Sequence, residues 1–315
     1  MLDDFLLQFF DDQPRRATSV YLLLTGKKTL SVLFAALQHH QLQWLHLYPT
    51  LSRRDFQAAI DHLLAGHQLV NVDDGLIAGD QKQQPAVDLP DAYQPWMGVQ
   101  AFEAKFHLAV QMLSEASFHN ARYRPVTQDW ALQQQLRQWW QTVNVETAIA
   151  ELKTLLEGLG DVTAEILLSG VIGHEFVGSG EFNEWQQLQA LSQLIAIIDQ
   201  GAAPSWQRLW GGRKPLGTKT QYLALQMIQQ GATREQAARR LQLKPSTINE
   251  HLLTAVIFGA DLPLPQIYPE AMTRALSDVN PQTHYQTLLA QIPNSDFFEI
   301  RLFQILSLQG RWPHG

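Results

Sequence analysis

The chain has 315 residues, 45% hydrophobic and 10% aromatic, enough for two or three compact domains and too apolar for extended disorder. It has no cysteine, which excludes disulfides, thiolate zinc sites, iron–sulfur clusters and a cysteine nucleophile. The formal net charge is -7, but between Arg208 and Ala260 eight Lys and Arg face only Glu235 and Glu250, a local +6 against -13 elsewhere, as expected where one module meets phosphate.

The first residues, MLDDFLLQFFDDQ, are apolar but carry Asp3, Asp4, Asp11 and Asp12 where a signal peptide needs positive charge. No apolar run approaches the roughly 18 residues that span a bilayer. The expectation is a soluble, cytoplasmic protein. Helical patterns run from Ser19 to Leu24, from Thr29 to about His40 with Leu30, Leu33, Phe34 and Leu37 on one face, and from Ser52 to Gly66. Two β-prone runs flank Asp74-Gly75, a dipeptide suited to a tight hairpin. Three helices and a hairpin predict a winged-helix-like domain over residues 1–80.

Residues 81–98, with three prolines, read as a linker. The expected middle domain, 99–203, is all-α, with helices over Phe102–Ser117, Trp130–Trp140, Val145–Leu156 and Glu184–Gln200. The stretch Ala164–Phe182, with the four glycines of SGVIGHEFVGSG, is expected to interrupt them. Trp130, Trp139 and Trp140 recur at helical spacing with Leu132 and Leu136 and so read as core rather than as base-stacking platforms. SWQRLWGGRKPLG, within 204–217, reads as a second linker. After residue 262 a proline-rich stretch leads into a helical extension over 263–315, with turns around Phe297–Leu308.

Residues 218–262 carry the strongest pattern. Thr218 caps a helix whose apolar face is Tyr222, Leu225, Met227 and Ile228, and Gly231 closes it in a left-handed conformation. Thr233 caps a second helix with Ala237, Ala238 and Leu241 inward, and the small alanines let two helices cross closely. After Gln242-Leu243-Lys244, Pro245 opens a third helix at the position where its missing N–H costs nothing. Ile248, Leu252 and Val256 point inward; Ser246, Asn249 and Glu250 point out. This is a helix-turn-helix unit, and a mainly α protein follows from the whole pattern. The segment from about 205 to 262 is expected to fold alone. In such units the start of the third helix enters the major groove. Arg234, Arg239, Arg240, Lys244 and Lys219 are the candidate phosphate contacts, and Ser246, Thr247 and Asn249 the candidate base contacts. The bland alternative is a solvated basic face on a protein-binding domain, favoured by Glu250, which repels phosphate unless it accepts from a cytosine amine.

The stretch TKTQYLALQMIQQGATREQAARRLQLKPSTINEHLLTAVIFGADL resembles the helix-turn-helix domain at the C-terminus of many RecQ-type helicases. The likeness lies in the Thr-rich start, the Gly231 turn, the Glu235–Leu241 helix, Ser246-Thr247-Ile248, His251-Leu252, and Gly259 before Asp261-Leu262. With its YLLLTGKKT segment and all-α middle, the whole chain resembles the YpbB family of Firmicutes, which carries a similar domain without the helicase. Lys244 departs from related motifs, where a serine often caps; losing that cap costs about 1 kcal/mol. The resemblance implies an accessory protein of DNA repair or recombination that binds duplex or forked DNA beside a RecQ-like helicase. LuxR-type transcription factors share the string G-x-[ST]-x-x-x-[IA]-A-x-x-L…T-[IV]-x-x-H-L, usually at their very end, so a ligand-sensing regulator is the alternative, with a protein-only scaffold as a third.

No enzyme is expected. GKKT at 26–29 lacks the glycine a phosphate loop needs upstream, and GRKPLGTKT at 212–220 places Thr218 where its lysine belongs. His174-Glu175 lacks the second histidine of a helical zinc motif, and His39-His40 diverge on a helix. No catalytic residue, metal ligand or cofactor is expected.

Overall fold

The computed structural model describes residues 2–80 and 89–313; positions 81–88 of the expected first linker lie outside the described residues. Helix accounts for 59% of the structure, against two small two-stranded sheets among the described residues, so the protein is mainly α. None of the described helices is long and apolar enough to cross a membrane.

The chain opens with α1 (Leu2–Leu7), α2 (Ala17–Leu24) and α3 (Leu30–Gln38), a 3-10 turn at Leu42–Trp44, and α4 (Arg53–Ala65). The strands β1 (Leu69–Val72) and β2 (Gly75–Ala78) follow, joined at the expected Asp74-Gly75 turn. Next come α5 (Val99–Ser117), α6 (Trp130–Trp140), α7 (Val145–Leu159), α8 (Asp161–Ser169), the short antiparallel pair β3 (Ile172–Gly173) and β4 (Phe176–Val177), α9 (Glu184–Asp199) and α10 (Pro204–Trp210). The rest is α11 (Lys219–Gln229), α12 (Arg234–Leu241), α13 (Pro245–Ile257), α14 (Leu264–Ile267), α15 (Glu270–Ser277), α16 (Tyr285–Gln291) and α17 (Phe297–Leu308).

These elements form two compact units. One comprises Met1–Pro14, Gln57–Val72 and Leu76–Lys214; the other comprises Arg15–Phe56, Asp73–Gly75 and Pro215–Gly315. The helices and hairpin of residues 1–80 thus occur in the expected order, but α2 and α3 go with the C-terminal unit while β1 goes with the other.

The first unit is organised on α5, which buries Phe102, Phe106, Ala109 and Leu113 against α6, α7, α9 and α10. Two segments differ from expectation. The second expected linker begins with a helix, because Trp206 and Trp210 of α10 are fully buried and their indole N–H groups donate to Ala148 O at 3.0 Å and Met97 O at 2.7 Å. The glycine-rich interruption starts later than expected, since α8 continues to Ser169 before the chain turns into β3 and β4. Trp139 is core as expected and donates to Ser205 O at 2.8 Å, but Trp130 is 62% exposed, with Arg137 stacked 5.0 Å above it. The acidic N-terminal segment is tied into the same unit, with Phe5 stacked on Trp185 at 3.9 Å.

The second unit is centred on α13. Leu252, Leu253, Thr254, Val256 and Ile257 are all buried, so this helix is enclosed on every side over its second half. Its neighbours are α11 and α12 from the expected domain, and α3 and α17 from far outside it. The fragment of about 205 to 262, expected to fold alone, therefore lacks two of the four helices that pack on its central element.

Candidate nucleic-acid interface

The interface is built from local signals. Thr218 caps α11 with Gln221 returning the bond, and Thr233 caps α12 with Gln236 doing the same; both are capping boxes. Pro245 is the first residue of α13, and Lys244 makes no side-chain cap there, as the sequence implies. Between α12 and α13 the turn depends on Gln242, held at φ 55° without being glycine. Ala237 and Ala238 are buried, so α12 and α13 approach closely.

The expected contact residues divide into two groups. Arg239, Arg240 and Lys244 are exposed around the turn, and Lys219 is exposed at the first residue of α11. Among the described residues none of the four has an ion-pair partner. Ser246 is exposed, Thr247 and Asn249 are half-buried, and Glu250 is exposed beside them. Glu235, in the first turn of α12, has its carboxyl pKa lowered by its own backbone N–H, by the Thr233 hydroxyl and by the charges of Arg234 and Arg239. It remains anionic at neutral pH.

Arg234 stands apart from these exposed cations. Its Nη1 donates to Asp296 Oδ2 at 2.8 Å and to Asn249 Oδ1 at 3.3 Å, and its guanidinium lies 4.4 Å over the ring of Phe298. The structure thus brings together two residues expected to meet DNA separately, and couples them to the start of α17. Asp296 and Phe298 lie outside the residues that the sequence pattern points to. The one local signal is Asp296 itself, which with Glu299 forms another capping box.

GKKT at 26–29 proves to be a tether. Lys28 Nζ donates to Leu216 O at 2.8 Å, joining the loop before α3 to the loop before α11, and burial lowers its pKa. Over the whole unit, fourteen Lys and Arg stand against ten Asp and Glu, a net charge of +4, so the other unit carries -11. The basic excess therefore belongs to the unit that holds the helix-turn-helix.

A family model described as a helix-turn-helix domain matches residues 220–304. No curated protein and no solved structure matches the chain. The matched span begins in α11, takes in α12 and α13, and runs on into α17, the helix whose first turn holds Arg234. The protein carries a C-terminal helix-turn-helix domain.

Proposed function

We propose that the protein is a DNA-binding accessory factor of DNA repair or recombination that works beside a RecQ-like helicase and has no motor activity of its own. The observation that carries DNA binding is the solvent-facing trio Arg239, Arg240 and Lys244, without ion-pair partners among the described residues, at the edge of the α13 N-terminus in a net basic unit. Cations so placed neutralise phosphates while the first turn of α13 approaches the base edges. The helicase partner rests on the resemblance of residues 218–262 to the C-terminal domain of RecQ-type helicases, and of the whole chain to the YpbB family.

The test separates backbone contacts from base contacts. Replacing Arg239 and Arg240 by Ala should weaken binding to all DNA alike and flatten the log–log salt dependence by about 0.9 for each phosphate that is no longer neutralised. Asn249→Ala should leave that slope unchanged and cost about 1–3 kcal/mol on preferred sequences alone if a base is read. Should the arginine pair prove indifferent to DNA yet abolish capture of a helicase, the unit is a protein-docking module and the reading fails. Protection of a palindromic site by a dimer would favour a transcription regulator. Purified protein should hydrolyse no ATP with or without DNA, and turnover that follows the protein through several columns would overturn the motor-free assignment.

A further inference from the structure

Arg301, one turn into α17, sits among aromatic rings. Its guanidinium is 3.8 Å from the centre of Phe34, 5.4 Å from Tyr285 and 5.5 Å from Phe297. Burial lowers its pKa to about 10, so it stays cationic at neutral pH. No carboxylate pairs with it and no hydrogen bond leaves it among the described residues. The two acids nearest in sequence are engaged elsewhere: Asp296 pairs with Arg234, and Glu299 accepts from the Asp296 N–H at 2.8 Å. A planar group with five donors is thus held in place without an acceptor.

The rings around it continue to the surface. Phe297 is 38% exposed and meets Tyr285 edge-on at 5.3 Å, and Tyr285 lies 4.8 Å from His284. Packing accounts for Phe34, which is buried, but not for an exposed phenylalanine beside a guanidinium with no protein acceptor among the described residues. The strip also lies next to the interface already described. Phe297 follows Asp296, whose carboxylate holds Arg234, which donates to Asn249 at the start of α13.

We propose that Phe297, Tyr285 and Arg301 form a contact for single-stranded DNA, in which an unpaired base stacks on the exposed ring of Phe297 beside the half-buried Tyr285 and Arg301 donates to the neighbouring phosphate. Paired bases present only their edges; an aromatic face is of use once a base has left the duplex. An acidic peptide would satisfy the guanidinium and leave the rings idle. The inference rests on the DNA-binding reading and deepens it: duplex on α13, an unwound strand on α17.

The experiment uses the full chain, with F297A and R301K beside the wild type, and fluorescence anisotropy at one salt concentration. The ligands are a blunt duplex, the same duplex with an oligo-dT tail, the oligo-dT alone, and AMP as a competitor. A tail should tighten wild-type binding by about tenfold, the scale of one stacked base. F297A should lose most of that gain and R301K part of it, and F297A should bind the blunt duplex within about twofold of wild type. No gain from the tail, or a gain that survives both substitutions, overturns the proposal. Tight AMP binding without any tail effect assigns the strip to free nucleotide and also overturns it. If the blunt duplex fails to bind while F297A abolishes binding of oligo-dT, the helix-turn-helix reading falls and this one stands.

Discussion

Arg234 and Arg239 lie on the same helix, yet one is structural and the other is exposed to solvent. Arg234 holds Asp296 and stacks on Phe298, so Arg234→Ala should cost about 1 kcal/mol in thermal denaturation, a modest value because Asp296 is half exposed. Arg239→Ala should stay within about 0.5 kcal/mol of wild type. Gln242 offers a gain instead of a loss. A side chain at φ 55° carries strain on the order of 1 kcal/mol, and Gln242→Gly should return about 0.5–1 kcal/mol, read as a higher melting temperature. His107 of α5 sets a pH dependence. Burial lowers its pKa, and its Nε2 has no hydrogen-bond partner among the described residues, so the folded protein holds the imidazole neutral. The unfolded chain takes up the proton first, so stability is full above about pH 6.5 and declines as pH falls toward the depressed folded value. Denaturant midpoints measured from pH 7.5 to 5 should show a shallower decline in His107→Phe, with the remaining slope owed in part to His46 and His251, whose pKa values burial also lowers.

At the level of elements, the helix-turn-helix is legible in the sequence because its determinants are local. Thr218, Thr233 and Pro245 mark helix starts within a residue of where α11, α12 and α13 begin, and two alanines mark the crossing. Ala237→Leu should therefore cost about 1–3 kcal/mol by forcing α12 off α13, measured by chemical denaturation. By contrast, the residues of α10 read as a connection. Their proline and the following glycines are turn signals in isolation, and what makes α10 a helix in the core is the burial of two tryptophans against α5 and α7, which no local pattern encodes. The same holds for the half of the site that local patterns miss. Asp296 and Phe298 reach Arg234 across 62 residues in the case of the ion pair, and only the fold brings them there.

At the level of the molecule, the charge asymmetry seen along the chain becomes an asymmetry between units, +4 against -11. The basic unit is discontinuous, since α3 packs on α13 and α17 from the far end of the sequence. A fragment of residues 215–315 should keep its far-ultraviolet helical signal but lose cooperative melting, because α3 no longer packs on α13 and α17; sharp two-state unfolding of that fragment would refute the dependence. Residues 76–214, by contrast, form a long continuous stretch of the acidic unit. This split has a consequence during synthesis. At roughly 5–20 residues per second, α3 leaves the ribosome tens of seconds before α17 does, and its apolar face must wait unpaired for that interval. The nascent chain would thus complete its acidic portion first and close the packing around the helix-turn-helix only when Phe297–Leu308 has emerged. Until α17 has emerged, polysome-bound intermediates should expose in α3 a hydrophobic helix that chaperones can recognise.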